Sequence, residues 1–248
     1  MKIYPFLLLG FCCLLAVFSC DSEPDNFSIE QGTEYYPLAV GKYWIYKVDS
    51  TIFDPNGDST VSFSTTFVKE EITDTLLDNE GNVAFRYERY ERSADTLPWQ
   101  VKKVFTATLD GKQAIRTEDN LRFIKMTFPL RENNRWNGNA YFDPSLIVTV
   151  AGESLEMFKS WEYKIEAVGK ADTVGTFAFE AVTVVEEAAS ENLIELRSSL
   201  AKYAKGIGLV YRELWILDTQ CIEACDGQSW EEKAEKGFIL KQYILEHN

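Results

Sequence analysis

The sequence predicts a mainly β protein. It reads as an antiparallel, strongly curved sheet, closed as a half-barrel, barrel or sandwich, with few short helices. Three observations point there. Apolar and polar residues alternate with period two along several stretches, which puts one strand face on a core and the other in water. Turn-forming clusters separate these stretches at short intervals. Helical spacing is sparse. The chain of 248 residues, 46% hydrophobic and 26% charged, is long enough to bury a sizeable core. Its composition excludes collagen-like, low-complexity and wholly disordered chains.

In chain order, the first strand is expected over Lys42–Ser50. In the second, Val61, Phe63, Thr65 and Phe67 share one face; in the third, Val83, Phe85 and Tyr87 do. Trp99–Ala107, Leu121–Phe128 and Ile147–Val150 follow. The clearest alternation is Trp161, Tyr163, Ile165 and Ala167, with Glu162, Lys164 and Glu166 between them. Phe177–Glu186, Leu209–Leu217 and Gly237–Leu245 complete the set. Turns are expected at Pro55-Asn56-Gly57-Asp58, Asn79-Glu80-Gly81-Asn82, Asp110-Gly111 and Gly169-Lys170-Ala171-Asp172. Gly152–Ser160 and Ser229–Lys236 read as short helices, the second ended by Gly237. In Ser190–Lys205, Leu193, Leu196, Leu200 and Tyr203 fit helical spacing, yet the segment lies between two strong strands, and its second half reads as strand. Pro129 to Asp143, rich in Asn, Arg and aromatics, reads as an ordered connection within one domain.

The N-terminus is an address. Lys2 is the only charge before Asp21, and an apolar run from Ile3 to Phe18 follows it. So short a run, with a basic start and small residues at its end, reads as a secretory signal rather than a membrane span. Ala16-Val17-Phe18-Ser19-Cys20 resembles the bacterial lipobox. The resemblance implies cleavage before Cys20, lipidation of its thiol and acylation of the new amine. Phe18 is bulkier than the residue favoured there. Several acyl chains anchor a protein stably, at about 0.8 kcal/mol per buried methylene. The expected organisation is therefore a signal peptide over 1–19, a lipidated cysteine with an acidic tether over 20–33, and a single β-rich domain over 34–248. Residues 21–33 reach roughly 40 Å when extended, at about 3.3 Å per residue. The cluster Asp21-Ser22-Glu23-Pro24-Asp25 also resembles the surface-export signal of Bacteroidota lipoproteins. The expected location is the outer membrane, with the periplasmic and cell-surface faces left open.

Three further segments carry a resemblance. They are Tyr36-Pro37-Leu38 with Gly41 and Trp44-Ile45-Tyr46; Phe128-Pro129-Leu130 with Trp136-Asn137-Gly138-Asn139; and Tyr203-Ala204-Lys205-Gly206-Ile207-Gly208-Leu209-Val210. In this order they resemble the Bacteroidota envelope lipoproteins that open with a Tyr-Pro-Leu, Gly, Trp-x-Tyr pattern. The resemblance implies a β-rich envelope domain and supplies no activity and no catalytic residue. Read from the residues alone, Trp44 and Tyr46 fill the core near the entry to the fold. Gly206 and Gly208 mark a strand boundary with a bulge or close backbone approach. They are not a nucleotide motif, since Tyr211 stands where the third glycine belongs.

Of the five cysteines, Cys12 and Cys13 leave with the leader and Cys20 is the lipid site. Cys221 and Cys225 are an even pair in a disulfide-permissive compartment, so a disulfide pinning an exposed loop is expected. Two thiolates with no second pair and no nearby His do not make a zinc site. A thioredoxin-type motif has two intervening residues, not three.

The chemistry classes narrow further. Twenty-five Lys and Arg against 39 Asp and Glu leave a net charge of −14, which disfavours nucleic acid as a partner. The one histidine, His247, lies next to the terminus, which disfavours Ser–His–Asp and Cys–His catalysis. Asp54, Asn56 and Asp58 have the spacing of a calcium loop, but Ser59 and Thr65 stand at its Gly and Glu positions; a hairpin turn is the better reading. Glu70 with Glu71, Glu186 with Glu187, and Glu231 with Glu232 are adjacent carboxylates. Strand neighbours point to opposite faces, so none of these pairs flanks one bond, and they read as solvated surface charges. No metal, cofactor or catalytic residue is assigned. Aromatics form 14% of the chain and core packing is their default. Trp136 and Trp99, in polar surroundings, are the candidate ligand contacts.

The expected function is a membrane-anchored, non-enzymatic binding or scaffold domain, for a small apolar or glycan ligand or an envelope protein partner. A lipid-holding curved sheet is one form of it. The alternatives are a carbohydrate-active enzyme using a carboxylate pair and a surface adhesin or complex subunit.

Overall fold

The computed structural model describes residues 31–78 and 81–248. The leader, Cys20 and the acidic cluster after it lie outside the described residues. The first half of the chain forms β1 (Tyr43–Phe53), β2 (Val61–Leu77), β3 (Val83–Arg92), β4 (Gln100–Leu109), β5 (Gln113–Glu118) and β6 (Leu121–Thr127). Then come β7 (Arg135–Trp136), the hairpin β8 (Ile147–Val150) and β9 (Glu153–Glu156), and β10 (Tyr163–Val174). The chain ends with β11 (Phe177–Glu191), β12 (Glu195–Ala204), β13 (Gly208–Asp218), helix α1 (Trp230–Lys233) and β14 (Lys236–His247).

Twelve strands form one antiparallel sheet in the order β6-β5-β4-β3-β2-β1-β14-β13-β12-β11-β10-β7. It is two up-and-down meanders, β1 to β6 and β10 to β14, stitched together where β1 pairs with β14. Register shifts recur along the ladders, at Ile72/Asp74, Arg89/Tyr90 and Glu186/Ala188 among others. Each extra residue bends its strand and increases the local twist, so the sheet curls until its ends meet and it is nearly a barrel. At the seam, Trp136 of β7 pairs with Tyr163 of β10, and its Nε1 donates to the Ile124 carbonyl on β6 (2.8 Å). The Ile124 amide donates to the Gly138 carbonyl (2.8 Å). Gly138 is required by contact: a Cβ there would stand 2.2 Å from the Tyr163 ring. The Pro129–Asp143 connection is thus ordered, and its middle bridges the seam.

Connectivity places the ends of β1 and β13 and the starts of β12 and β14 at one mouth of the barrel. The β8–β9 hairpin covers that mouth. The buried Arg197 of β12 donates to the Glu156 carbonyl (3.0 Å) and pairs with Asp218 (2.7 Å). Lys236 donates to the Ser154 carbonyl. Phe142, Phe158 and Trp161 continue the cap inward, Phe142 edge to face on Phe123 and Phe158, Phe158 edge to face on Trp161, and Trp161 tilted on Tyr163. The other mouth is crossed by residues 31–41, with the Gly206 amide donating to the Glu34 carbonyl (2.8 Å). Outside the barrel, α1 packs Trp230 on Phe53, Leu217 and Ile239. Ser229 and Glu232 form its capping box.

Most expected strands stand within a few residues of their places, and β5 is an addition. Four expectations change. The face carrying Phe63, Thr65 and Phe67 is the outer one, and Phe63 is 78% exposed; the inner face of β2 is Val68, Glu70 and Ile72, all buried. Gly152–Ser160 is not helical: Glu153–Glu156 is β9, because Ser154 and Glu153 pair with Thr149 and Val150. Gly169 to Asp172 is not a turn between strands but an irregular stretch inside β10, with register shifts on both sides of Lys170. His247 is not on a loose end. It pairs with Trp44, and Asn248 is tied by the Tyr43 amide (2.9 Å) and to the Gly41 carbonyl (3.0 Å).

Candidate functional site: an amphiphilic cavity inside the barrel

The barrel interior is not filled. A cavity of about 650 Å3 runs between the two mouths, within the roughly 300–1,000 Å3 of small-molecule sites. Its apolar wall comes from Leu121 and Phe123 of β6 and from Ile147, Val148, Met157 and Phe158 of the cap. Leu146 and Ile147 stand at its rim, 42% and 53% exposed. The opposite wall is aromatic. Trp44 and Tyr46 of β1 and Tyr87 of β3 line it together with Tyr36 and Tyr203. The Trp44 Nε1 donates to the Ile207 carbonyl (2.7 Å) and the Tyr46 hydroxyl to the Leu209 carbonyl (2.9 Å), so these rings are locked by the Gly206-Ile207-Gly208 turn. Gly206 and Gly208 have φ of 74° and 101°, which L side chains adopt with strain. The Gly208 Cα also lies close to the Trp44 indole, 3.6 Å from where a Cβ would stand. The expected core role of Trp44 and Tyr46 and the strand-boundary role of the glycines hold.

The floor is ionic and built as two clusters. In the first, Arg116 of β5 grips Glu70 of β2 with both terminal nitrogens (2.9 and 3.0 Å), and Arg89 of β3 adds a 2.6 Å bond to the same carboxylate. Arg116 Nε reaches Glu118 (2.9 Å), and Lys103 holds both Glu118 (3.2 Å) and Asp119 (2.6 Å). The Arg116 guanidinium lies 3.6 Å from the Phe105 ring centroid, and Phe105 stacks on Tyr87. Burial alone would raise the Glu70 carboxyl; Arg116 and Arg89 outweigh it and hold it down at about 2. Glu118 is likewise held low against burial by Arg116, Arg89 and Lys103.

In the second cluster, Glu187 of β11 is wholly buried. It accepts from Lys125 of β6, from Ser199 (2.7 Å) of β12 and from Arg212 Nη2 (3.2 Å) of β13. Burial would raise this carboxyl too, but Lys125 and Arg212 pull it to about 2. Lys125 is pushed down to about 8, first by burial and then by Arg212 and Arg116, against the upward pull of Glu187. The ammonium also faces the Phe123 and Tyr163 rings, each 5.5 Å away.

Glu70 and Glu187, expected on the surface, are therefore the anchors of the interior. Their neighbours Glu71 and Glu186 do face the other side of their strands, as strand geometry requires. Glu231 and Glu232 are exposed on α1. Neither tryptophan named from the sequence lines the cavity. Trp136 is at the seam, and Trp99 lies under the Arg92 guanidinium (4.3 Å) on the outer surface. Cys221 and Cys225 lie at disulfide distance, Cα–Cα 5.6 Å, in the exposed loop before α1. Asp54 to Asp58 make the β1–β2 turn, with the Asn56 amide on the Asp54 side chain (3.0 Å). Cys20 lies outside the described residues. Two of the missed residues carry a signal, a charge at the buried parity of the strand, whereas Lys125 sits at a register shift between the buried Ile124 and Met126. Glu70 lies between Val68 and Ile72, and Arg212 between Val210 and Leu214.

Fold and cavity define a class: a nearly closed antiparallel β-barrel with a ligand-sized, amphiphilic interior. Compared with known proteins, the chain matches no family model, no curated protein and no solved structure. Among the described residues no helix is long and apolar enough to cross a membrane.

Proposed function

We propose that this chain is a membrane-anchored lipoprotein of the bacterial envelope, held at the outer membrane through Cys20. Its barrel is a non-enzymatic module that binds a small amphiphilic or apolar ligand. The observation that carries the binding reading is the cavity itself. Twelve strands and the β8–β9 cap surround about 650 Å3 rather than collapsing on it, although close packing is the norm for protein interiors. The lipobox and the acidic cluster after it support the anchor. A carbohydrate-active enzyme would need a carboxyl kept protonated near neutral pH. Glu70 and Glu187, each held at about 2, favour binding over that chemistry.

The test is native mass spectrometry of the chain recovered from the envelope of its source bacterium. The expected result is a reproducible extra mass that is lost on denaturation. A mass that does not change on denaturation, in repeated preparations, would overturn the binding reading.

A further inference from the structure

The two ionic clusters differ in their charge count. Around Glu70 the cations Arg89, Arg116 and Lys103 face the anions Glu70, Glu118 and Asp119, so the cluster is neutral. Around Glu187 there are two cations, Lys125 and Arg212, and one anion. Among the described residues neither cation bonds a second carboxylate. The site carries one uncompensated positive charge inside the barrel, and a buried charge is costly unless paired.

The geometry agrees. Arg212 Nη2 is spent on Glu187, but its buried Nε has no hydrogen-bond partner. The Arg212 side chain is 28% exposed, and it lines the cavity. Lys125 lines it as well, and Phe123, two residues before Lys125 on the same strand face, begins the apolar wall that continues through Phe158 to Met157 and Val148. Burial first, and then Arg212 and Arg116, depress the Lys125 ammonium.

We propose that the Lys125–Arg212 end of the cavity is a site for one negative charge, and that its occupant is a single-tailed amphiphile with a carboxylate head. The head lies against Arg212 and Lys125 and neutralises the surplus. The tail lies along Phe123, Phe158, Met157 and Val148 towards the rim at Ile147. A carboxylate matches the count of one, whereas a phosphate monoester brings about −1.5 to −2. This rests on the binding reading above and adds the chemistry of the head.

The test uses residues 31–248, which hold the whole sheet, both mouths and the core, freed of bound material by unfolding and refolding. Decanoate, decanol and decylammonium share a tail and differ in head charge; acetate is the head alone. Calorimetric titration is expected to give decanoate at least about tenfold tighter than decanol, in the range of a charged hydrogen bond. Decylammonium is expected weakest, and acetate below detection. Arg212→Gln, and separately Lys125→Met, should each bring the decanoate-to-decanol ratio towards one. Circular dichroism checks that each variant is folded, and if one is not, the wild-type ratio and the other variant decide. Equal affinities for decanoate and decanol in the wild type would overturn the anion site while leaving the cavity a binding site. Failure of all three tailed probes to bind would overturn the binding reading as well. Tight binding of acetate alone would overturn the amphiphile.

Discussion

Glu187→Gln removes the one anion of the Lys125–Arg212 site and keeps its shape. In the wild type at pH 7 the burial of Lys125 opposes stability and the pairing of Glu187 favours it. Lys125 is pulled from 10.5 to about 8 and Glu187 from 4.5 to about 2, each a shift of about 3 kcal/mol, with opposite signs for stability. Without the carboxylate the favourable part is lost. The lysine penalty then grows until the amine sheds its proton, which caps it at about 5 kcal/mol at pH 7. The net loss is expected at about 3–5 kcal/mol, the range for breaking a buried ion pair. The pH dependence identifies the cause. A base whose folded pKa is lowered binds fewer protons folded than unfolded, so stability rises with pH between the folded and the ordinary value. In the wild type that rise starts at about 8; in Glu187→Gln it starts lower. The penalty should therefore shrink by up to about 1.4 kcal/mol per pH unit on approach to pH 8. Adding Lys125→Met should recover about 2 kcal/mol or more. Urea unfolding of residues 31–248, followed by tryptophan fluorescence at pH 6, 7 and 8, measures all three. A loss below about 1 kcal/mol, or one that is the same at every pH, would refute the reasoning.

Further outcomes follow from other sites. Glu70, held at about 2 against an ordinary 4.5, contributes stability that is complete above pH 4.5 and lost as pH falls towards 2; acid titration of unfolding should show that loss in the wild type and much less of it in Glu70→Gln, which starts destabilised. Gly138→Ala drives a methyl into the Tyr163 ring and should cost about 1–3 kcal/mol, with faster amide exchange at Ile124 as the local readout. Replacing both Cys221 and Cys225 by Ser opens a loop with only four residues of separation, so the loss is expected at no more than about 2 kcal/mol, measured by thermal unfolding. Cys20→Ala should abolish incorporation of a labelled fatty acid in cells; labelling that persists would overturn Cys20 as the site of the anchor, and no labelling of the wild type would overturn the anchor itself.

The fold was largely legible because period-two alternation is a direct image of a sheet with one buried face. Tyr163, Ile165, Tyr87 and the β13 run fall where the pattern puts them, while Val83 at the start of its strand is exposed. β2 shows where the rule breaks. Its outer face carries Phe63 and Phe67 and its inner face carries Glu70, so hydrophobicity alone selects the wrong side. The reason is that an arginine pair across two other strands solvates Glu70 better than an apolar core would. The cavity was not legible for the same reason. Lys125 and Arg116 come from one hairpin, and Glu187 and Arg212 from strands more than sixty residues further on, and each looks like a surface charge until the sheet closes. Trp136 and Trp99 stood out as tryptophans in polar company, but one braces the seam and the other lies under an arginine outside.

The pairing of β1 with β14 has a consequence for timing. The two strands that stitch the meanders together are the first and the last among the described residues, nearly two hundred residues apart in sequence. The first meander of six strands can form early, but its β1 edge stays unpaired until the final dozen residues are available. Neither the ring of strands nor the cavity exists before then. Whatever holds the chain in extended form keeps the ring open until β14 is free to pair, and deletion of β14 would leave the β1 and β13 edges bare and the two meanders joined only at the Trp136 seam.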